Sequence, residues 1–203
     1  MLMPLKSALL LCTLALPLSI TQGDAAHAPA AVYTADGQLN FPGHYREWVY
    51  LTTGFDMSYT AGMQMAGHHL FDNVFVDTES YKAFVKTGTW PDKTMIVLEH
   101  RGAESKGSIN QKGNFQTGYM DVEVHIKDES RFPGKWAFFG FDDNKTAKMI
   151  PATESCYSCH SAHAAVDTTF VQFYPTLLPI AQSKGTLSPT YKHETETATP
   201  DHK

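Results

Sequence analysis

Cysteine is scarce in this chain, with three in 203 residues, at positions 12, 156 and 159. So few exclude a scaffold stapled by several disulfides, and the fold has to rest on its apolar core. A strong charge of one sign is missing too. Sixteen Lys and Arg stand against 21 Asp and Glu, a formal net charge of -5 with a pI near 6.0. That balance gives no electrostatic reason for a nucleic acid or an anionic membrane as partner. No apolar run reaches the ~20 residues that cross a bilayer, so no membrane span is expected. Internal repeats are also absent. What is present is 42% hydrophobic and 12% aromatic residues, the composition of a globular chain with a real core.

The N-terminus reads as a secretory signal peptide over residues 1–26. Lys6 precedes an apolar run from Ser7 to Ile20, and small and polar residues follow from Thr21 to Ala26. Cleavage is expected between Gly23 and Ala28. Cys12 lies inside the run after leucines with no small residue before it, which speaks against a lipoprotein anchor. About 175 to 180 residues remain, a single-domain length. We assign that domain to residues 29–182 and expect residues 183–203 to be a polar, disordered tail. Export places the mature protein in the periplasm.

The chemistry concentrates in Cys156-Tyr157-Ser158-Cys159-His160. Two thiols separated by two residues, with histidine next, form the attachment pattern of a c-type haem: each thiol takes one vinyl group and the histidine ligates the iron. A redox dithiol and half of a zinc site share the Cys-x-x-Cys spacing. A zinc site lacks a second ligand pair, and adding His163 crowds four ligands into eight residues. A thioredoxin-like dithiol follows an early strand, whereas this pair comes late, after Pro151 to Ser155. One covalent haem c per chain, with His160 as metal ligand, is the expectation.

Around the motif the pattern reads as a β-rich body with a few helices, and it places the motif on a late C-terminal helix. Ala35-Asp36-Gly37 marks a turn, and Tyr45 to Thr52 a short helix. Gly54 to Gly67 reads as a loop and His69 to Val76 as a strand. A helix follows from Asp77-Thr78-Glu79-Ser80, stopped by Gly88. Thr94 to Arg101 and Trp136 to Phe141 read as strands. Between them Tyr119 to Lys127 alternates, with Val122, Val124 and Ile126 on one face and Asp121, Glu123 and His125 on the other. The motif helix begins near Thr153 to Cys156, and a second helical stretch is expected from Val166 towards Phe173.

This order of elements separates classes of haem protein. Small electron-transfer cytochromes carry the motif early and a methionine ligand far downstream, but no methionine follows Cys159 here. A late motif fits cytochromes c prime, although their usual four-helix bundles conflict with the alternating strands. The chain resembles the cytochrome P-460 family, which includes the β-type cytochromes c prime. The resemblance rests on Tyr45-Arg46-Glu47-Trp48, Val74 to Asp77, Glu79-Ser80-Tyr81, Thr87-Gly88, Phe132 to Phe139, and Cys156 to His160 continuing to Phe170 to Pro175. It implies an α+β fold with an antiparallel β-sheet flanked by a few helices, a homodimer, and a haem lying against the sheet, commonly five-coordinate, with a small gaseous or nitrogen-oxide ligand and an electron-transfer partner.

The resemblance also implies roles for single residues. In the hydroxylamine-oxidising members a strand lysine is linked to the porphyrin, and Leu98 stands at that position. A distal carboxylate pairs with Glu123, leaving it as a proton acceptor and the sole catalytic candidate. The β-type cytochromes c prime cap the iron with phenylalanines, for which Phe71 and Phe75 are candidates, each also readable as core. By charge alone, and not from the resemblance, Arg46 is a candidate partner for a haem propionate, or equally for Glu47 or another carboxylate. His68, His69, Met57, Met63 and Met65 are candidate sixth ligands, and His163 is read as a surface or propionate neighbour.

Overall fold

The computed structural model describes residues 30–59 and 69–197. The expected signal peptide, His68, Met63 and Met65 lie outside those residues. Five strands form an antiparallel meander in chain order: β2 (Val49–Phe55), β3 (Leu70–Val76), β4 (Met95–Glu104), β5 (Phe115–Lys127) and β6 (Trp136–Phe141). A smaller pair, β1 (Leu39–Asn40) and β7 (Thr146–Ala147), makes a separate two-stranded sheet. With helices α1 (Thr78–Thr87), α2 (Ser155–His163), α3 (Leu178–Lys184) and α4 (Pro189–Thr197), the architecture is α+β, as the resemblance implies.

The period of two divides the sheet's side chains between two cores. Val97, Val122, Val124 and Ile126 go to one face with Phe139 and Phe141, under the N-terminal segment that brings Leu39 and Tyr45. Val74, Val76, Ile96 and Trp136 go to the other, where Phe84 of α1 and the C-terminal residues Val171, Tyr174, Leu177 and Ala181 cover them. Val97, Val122 and Val124 have no exposed surface, and each such side chain stabilises the fold by roughly 1.5–3 kcal/mol.

Helix α1 shows how local signals become position. The Asp77 carboxylate accepts from Ser80 N at 2.8 Å, capping the helix, and from Met95 N at 3.1 Å, fixing the start of β4. Gly88 ends it in the left-handed region at φ 77°, and a side chain there would strike Lys184 and Thr186. Thr186 Oγ1 donates to the Gly88 carbonyl at 2.6 Å, joining α1 to the end of α3.

Three expectations are corrected. Tyr45–Glu47 is one 3₁₀ turn, and the chain then enters edge strand β2 instead of continuing as a helix to Thr52. The reason is pairing: Val49 and Tyr50 face Val76 and Phe75 across β3, which overrides the helical spacing of Trp48, Val49 and Leu51. From Val166 to Phe173 there is a tight turn and a 3₁₀ turn (Val171–Phe173) where a helix is expected. Residues 189–197 form α4 where a disordered tail is expected. Ser188 accepts from Tyr191 N at 3.1 Å and donates to the Ala164 carbonyl at 2.7 Å, and Tyr191 packs on the core.

Candidate functional site: one cavity between the sheet and the Cys-x-x-Cys-His helix

Helix α2 carries Cys156, Cys159 and His160, spaced so that the two thiols and the imidazole share one side of the helix. It has little amphipathic character of its own, and its place comes from specific polar bonds. The Tyr157 hydroxyl donates to the Ile150 carbonyl at 2.9 Å and accepts from Phe138 N of β6 at 3.2 Å. At the far end Gln172 donates to the His163 carbonyl at 2.8 Å and accepts from Ala165 N at 2.9 Å.

His160 is oriented with equal care. Its Nδ1 donates to the Thr168 carbonyl at 2.7 Å, which leaves Nε2 with its lone pair free. The residues on either side of Thr168 are held as well: Trp90 Nε1 donates to Thr169 Oγ1 at 2.7 Å, and Lys127 Nζ of β5 meets Asp167 at 3.2 Å and the Trp90 carbonyl at 2.8 Å. The ring lies against Phe170 at a centroid separation of 4.1 Å and Phe138 at 4.7 Å. Burial lowers its proton affinity, with the Thr168 bond working the other way, so the imidazole is neutral and a competent metal ligand.

A cavity of about 320 Å³ opens beside this ring. One wall is the sheet, through Val74, Ile96, Leu98 and Phe138; the other is His160 with Phe170 and Tyr174. His160 is the motif residue that lines it, and the half-buried thiols of Cys156 and Cys159 lie on the same side of α2 as that ring. Burial raises the Cys156 thiol, so it rests protonated.

The polar lining gathers at one end. Leu98 and Glu123 are direct cross-strand partners, and both face the cavity. Next along the same face, Asp72, His100 and Asp121 form a row across β3, β4 and β5. His100 Nδ1 meets Asp72 Oδ1 at 2.7 Å, and its Nε2 lies 3.6 Å from Asp121 Oδ1. Burial alone would lower His100, but the Asp72 bond and its acidic neighbours outweigh it and raise its proton affinity. Glu123 keeps access to water through the cavity, yet the surrounding walls, aided by Asp121 and Asp72 against His100, push its carboxyl above the ordinary range.

His125, beside Glu123 on β5, stacks on Phe138 at 3.9 Å and stands 5.3 Å from the His160 ring. Burial holds it far below the usual histidine range, so it stays neutral. Of the candidate sixth ligands among the described residues, Met57 lines the cavity. His69 does not, being half exposed and bonded to Asp56 at 2.6 Å. His163 faces outward to Glu194 on α4.

Residues 42–171 match the sequence profile of cytochrome P460. The chain belongs to that family. No curated protein matches it significantly. Membership makes the chain a haem-binding cytochrome of the c type, and this cytochrome's own geometry fits the group: paired thiols on one side of α2, a neutral histidine beside them with a free Nε2, and an aromatic and aliphatic cavity that this histidine lines. No helix among its described residues is long and apolar enough to cross a membrane.

The resemblance-based assignment of a phenylalanine cap fails on geometry. Phe71 and Phe75 point away from the cavity. Val74 pairs with Leu98 and both face it, so the odd-numbered residues of β3 must lie on the other side, where Phe75 packs on Tyr45 and Phe71 on Phe55. Arg46 is on that far side as well, and of its two candidate partnerships the structure shows the one with a carboxylate, the buried Glu99. The apolar rings at the cavity are instead Phe138, Phe170 and Phe173. Sequence reading did not single out His100 or Asp72, because their alignment depends on strand register across residues 28 apart.

Proposed function

We propose that this cytochrome carries one haem c per chain and takes a small ligand such as nitric oxide, or passes single electrons, in the periplasm. Cys156 and Cys159 would hold the porphyrin, each S–H adding across one vinyl C=C so that sulfur bonds one carbon and the hydrogen goes to the other. His160 would supply Nε2 to the iron. When bound, the haem supplies an iron that holds a small ligand and changes charge by one electron. The observation that carries this reading is His160 lining one largely apolar cavity whose opposite wall carries Leu98, with both thiols on the same side of α2 as that histidine.

The residues of the chain do the rest. Thr168 fixes the tautomer of His160, and Phe138 and Phe170 hold its ring against rotation. Leu98, Val74 and Ile96 exclude water from one wall of the cavity. Leu98 also stands where the hydroxylamine-oxidising relatives are expected to carry their cross-linking lysine, which favours binding over oxidation. A homodimer and a redox partner complete the proposal.

A second reading is favoured by Glu123, whose carboxyl faces the cavity with raised proton affinity. There it would accept a proton from a bound nitrogen oxide such as hydroxylamine. The two readings part on purified protein matured in a host with haem-attachment machinery. An ordinary high-spin ferrous c-haem spectrum that changes on adding nitric oxide, with no hydroxylamine turnover, supports the first. Turnover that disappears in Glu123→Gln supports the second. A colourless protein contradicts both.

A further inference from the structure

We propose that Tyr174 binds a propionate carboxylate of the haem, donating a hydrogen bond from its hydroxyl on the His160 side of the cavity. The inference rests on the reading that this cavity holds one haem c, and it adds where the acidic edge of the porphyrin lies. Tyr174 is 6% exposed, and its ring belongs to the core in which C-terminal residues close over Val74 and Ile96. It also lines the cavity. Its hydroxyl has no hydrogen-bond partner among the described residues. Among those residues the Tyr33 hydroxyl is the one sealed side-chain polar atom without a partner, so the Tyr174 oxygen reaches open space, and that space is the cavity. A phenol so deeply buried, with its only outlet there, is a donor kept for what the cavity binds.

What that hydroxyl can meet follows from the wall that carries it. With Nε2 of His160 on the iron, a ligand of the iron stands on the opposite side, against Leu98. Tyr174 belongs to the segment that follows His160 and forms the His160 wall, where that wall closes on the sheet. It therefore faces the rim of the porphyrin and not the iron's ligand. The rim of a c-type haem carries methyl groups, the two former vinyl groups bonded to sulfur, and two propionates, and of these only the propionates accept a hydrogen bond. Burial pushes the Tyr174 phenol above its ordinary range, so it keeps its proton and remains a donor.

Charge points the same way. Among the described residues no Lys or Arg lines the cavity, and Arg46 is on the other face of the sheet. The cavity's own carboxyls, Asp72 and Glu123, are on the sheet wall, and His100 there is already bonded to Asp72 at 2.7 Å. A propionate at that end would set a further negative charge beside two others. On the His160 wall the Thr169 hydroxyl is engaged, donating to the Val166 carbonyl at 2.8 Å and accepting from Trp90 Nε1 at 2.7 Å. Tyr174 is the neutral donor that remains. It is a positioning residue: its bond fixes the propionate edge while the thioethers fix the vinyl edge.

The test compares haem-loaded wild type with haem-loaded Tyr174→Phe, which keeps the ring and loses only the oxygen. Resonance Raman is expected to show the bending band of one propionate shifted in the variant. The reduction potential is expected to fall with it, because a carboxylate without its donor holds more negative charge near the iron and favours the ferric form. A propionate band that matches wild type overturns the inference, whatever the potential does. If Tyr174→Phe folds poorly, a crystal structure of haem-loaded wild type gives the answer: a propionate oxygen within about 3.2 Å of Tyr174 Oη supports the inference, and two propionates both bonded elsewhere overturn it. Protein that takes up no haem overturns the haem reading itself and the inference with it, whereas every other outcome leaves that reading standing.

Discussion

Replacing Glu99 with alanine is expected to cost about 3 kcal/mol of stability, at the low end of the ~3–5 kcal/mol typical of breaking a buried ion pair. Glu99 has no exposed surface and accepts from the Tyr45 hydroxyl, Arg46, Arg101 Nε at 2.6 Å and Asn73 Nδ2 at 3.2 Å. Three of these donors have somewhere else to go. Arg46 is 52% exposed and can turn to water, Arg101 keeps the Thr117 carbonyl at 3.0 Å, and Asn73 keeps Gln116 at 2.8 Å. The buried Tyr45 hydroxyl does not, and an orphaned donor costs about 1–3 kcal/mol; the cavity left by the side chain adds the rest. Glu99→Gln, which keeps the volume and one acceptor, should cost about 1–2 kcal/mol.

The pH dependence has a definite sign. Burial pushes the Glu99 carboxyl up, but the bonds from Tyr45 and Arg101 and the charges of Arg46 and Arg101 outweigh it and hold it below the ordinary range. Its contribution is therefore complete above the usual carboxylate range and is lost as pH falls through the lowered value. The gap between wild type and Glu99→Gln should shrink on acidification. Because Glu99 sits between Leu98 and His100 on β4, the same substitution should also disturb the cavity on the other face. Urea unfolding at several pH values is the assay. A loss below about 1 kcal/mol for Glu99→Ala, or a gap that widens in acid, would refute the reasoning.

Three further outcomes follow from the cavity and its supports. Glu123 has a raised carboxyl pKa, so the folded state holds its proton more tightly than the unfolded chain. That stabilisation is present in acid and is lost as pH rises from about 4.5 through the raised value. The unfolding free energy of wild type should thus fall relative to Glu123→Gln over that window, and a pH-independent difference would contradict it. Thr169→Val strips Trp90 Nε1 of its acceptor and should cost about 1–3 kcal/mol by denaturant unfolding while altering the haem spectrum through the neighbouring Thr168 carbonyl. Leu98→Lys places an amine directly across from Glu123. It is expected to red-shift the ferrous absorption band and bring hydroxylamine turnover, and a spectrum identical to wild type would count against Leu98 as the equivalent position.

Some of this was legible from residues alone and some could not be. The alternation of Val122, Val124 and Ile126 against Glu123 and His125 reports a strand with two different faces, and β5 has them. The capping signals of Asp77 and Gly88 are local, so α1 could be bounded closely. Period two does not say which face meets the cavity, however, so it could not test the resemblance-based choice of Phe71 and Phe75. Only the pairing of Val74 with Leu98 resolves it. Tyr45 to Thr52 misled because an edge strand with Tyr50 outward shows mixed spacing. The His100 row, likewise, depends on pairing between distant segments, which no single stretch of sequence encodes.

The central claim is that Cys156 and Cys159 bind one haem whose iron His160 ligates. It is tested most directly by the intact mass of protein recovered from the periplasm of a host with haem-attachment machinery, measured before and after treatment with a thiol-alkylating reagent. A mass greater than that of the mature chain by one haem, unchanged by the reagent, is the expected result, with Cys156→Ser and Cys159→Ser each abolishing the doubly linked form. The bare chain mass, with both thiols alkylated, would contradict the account.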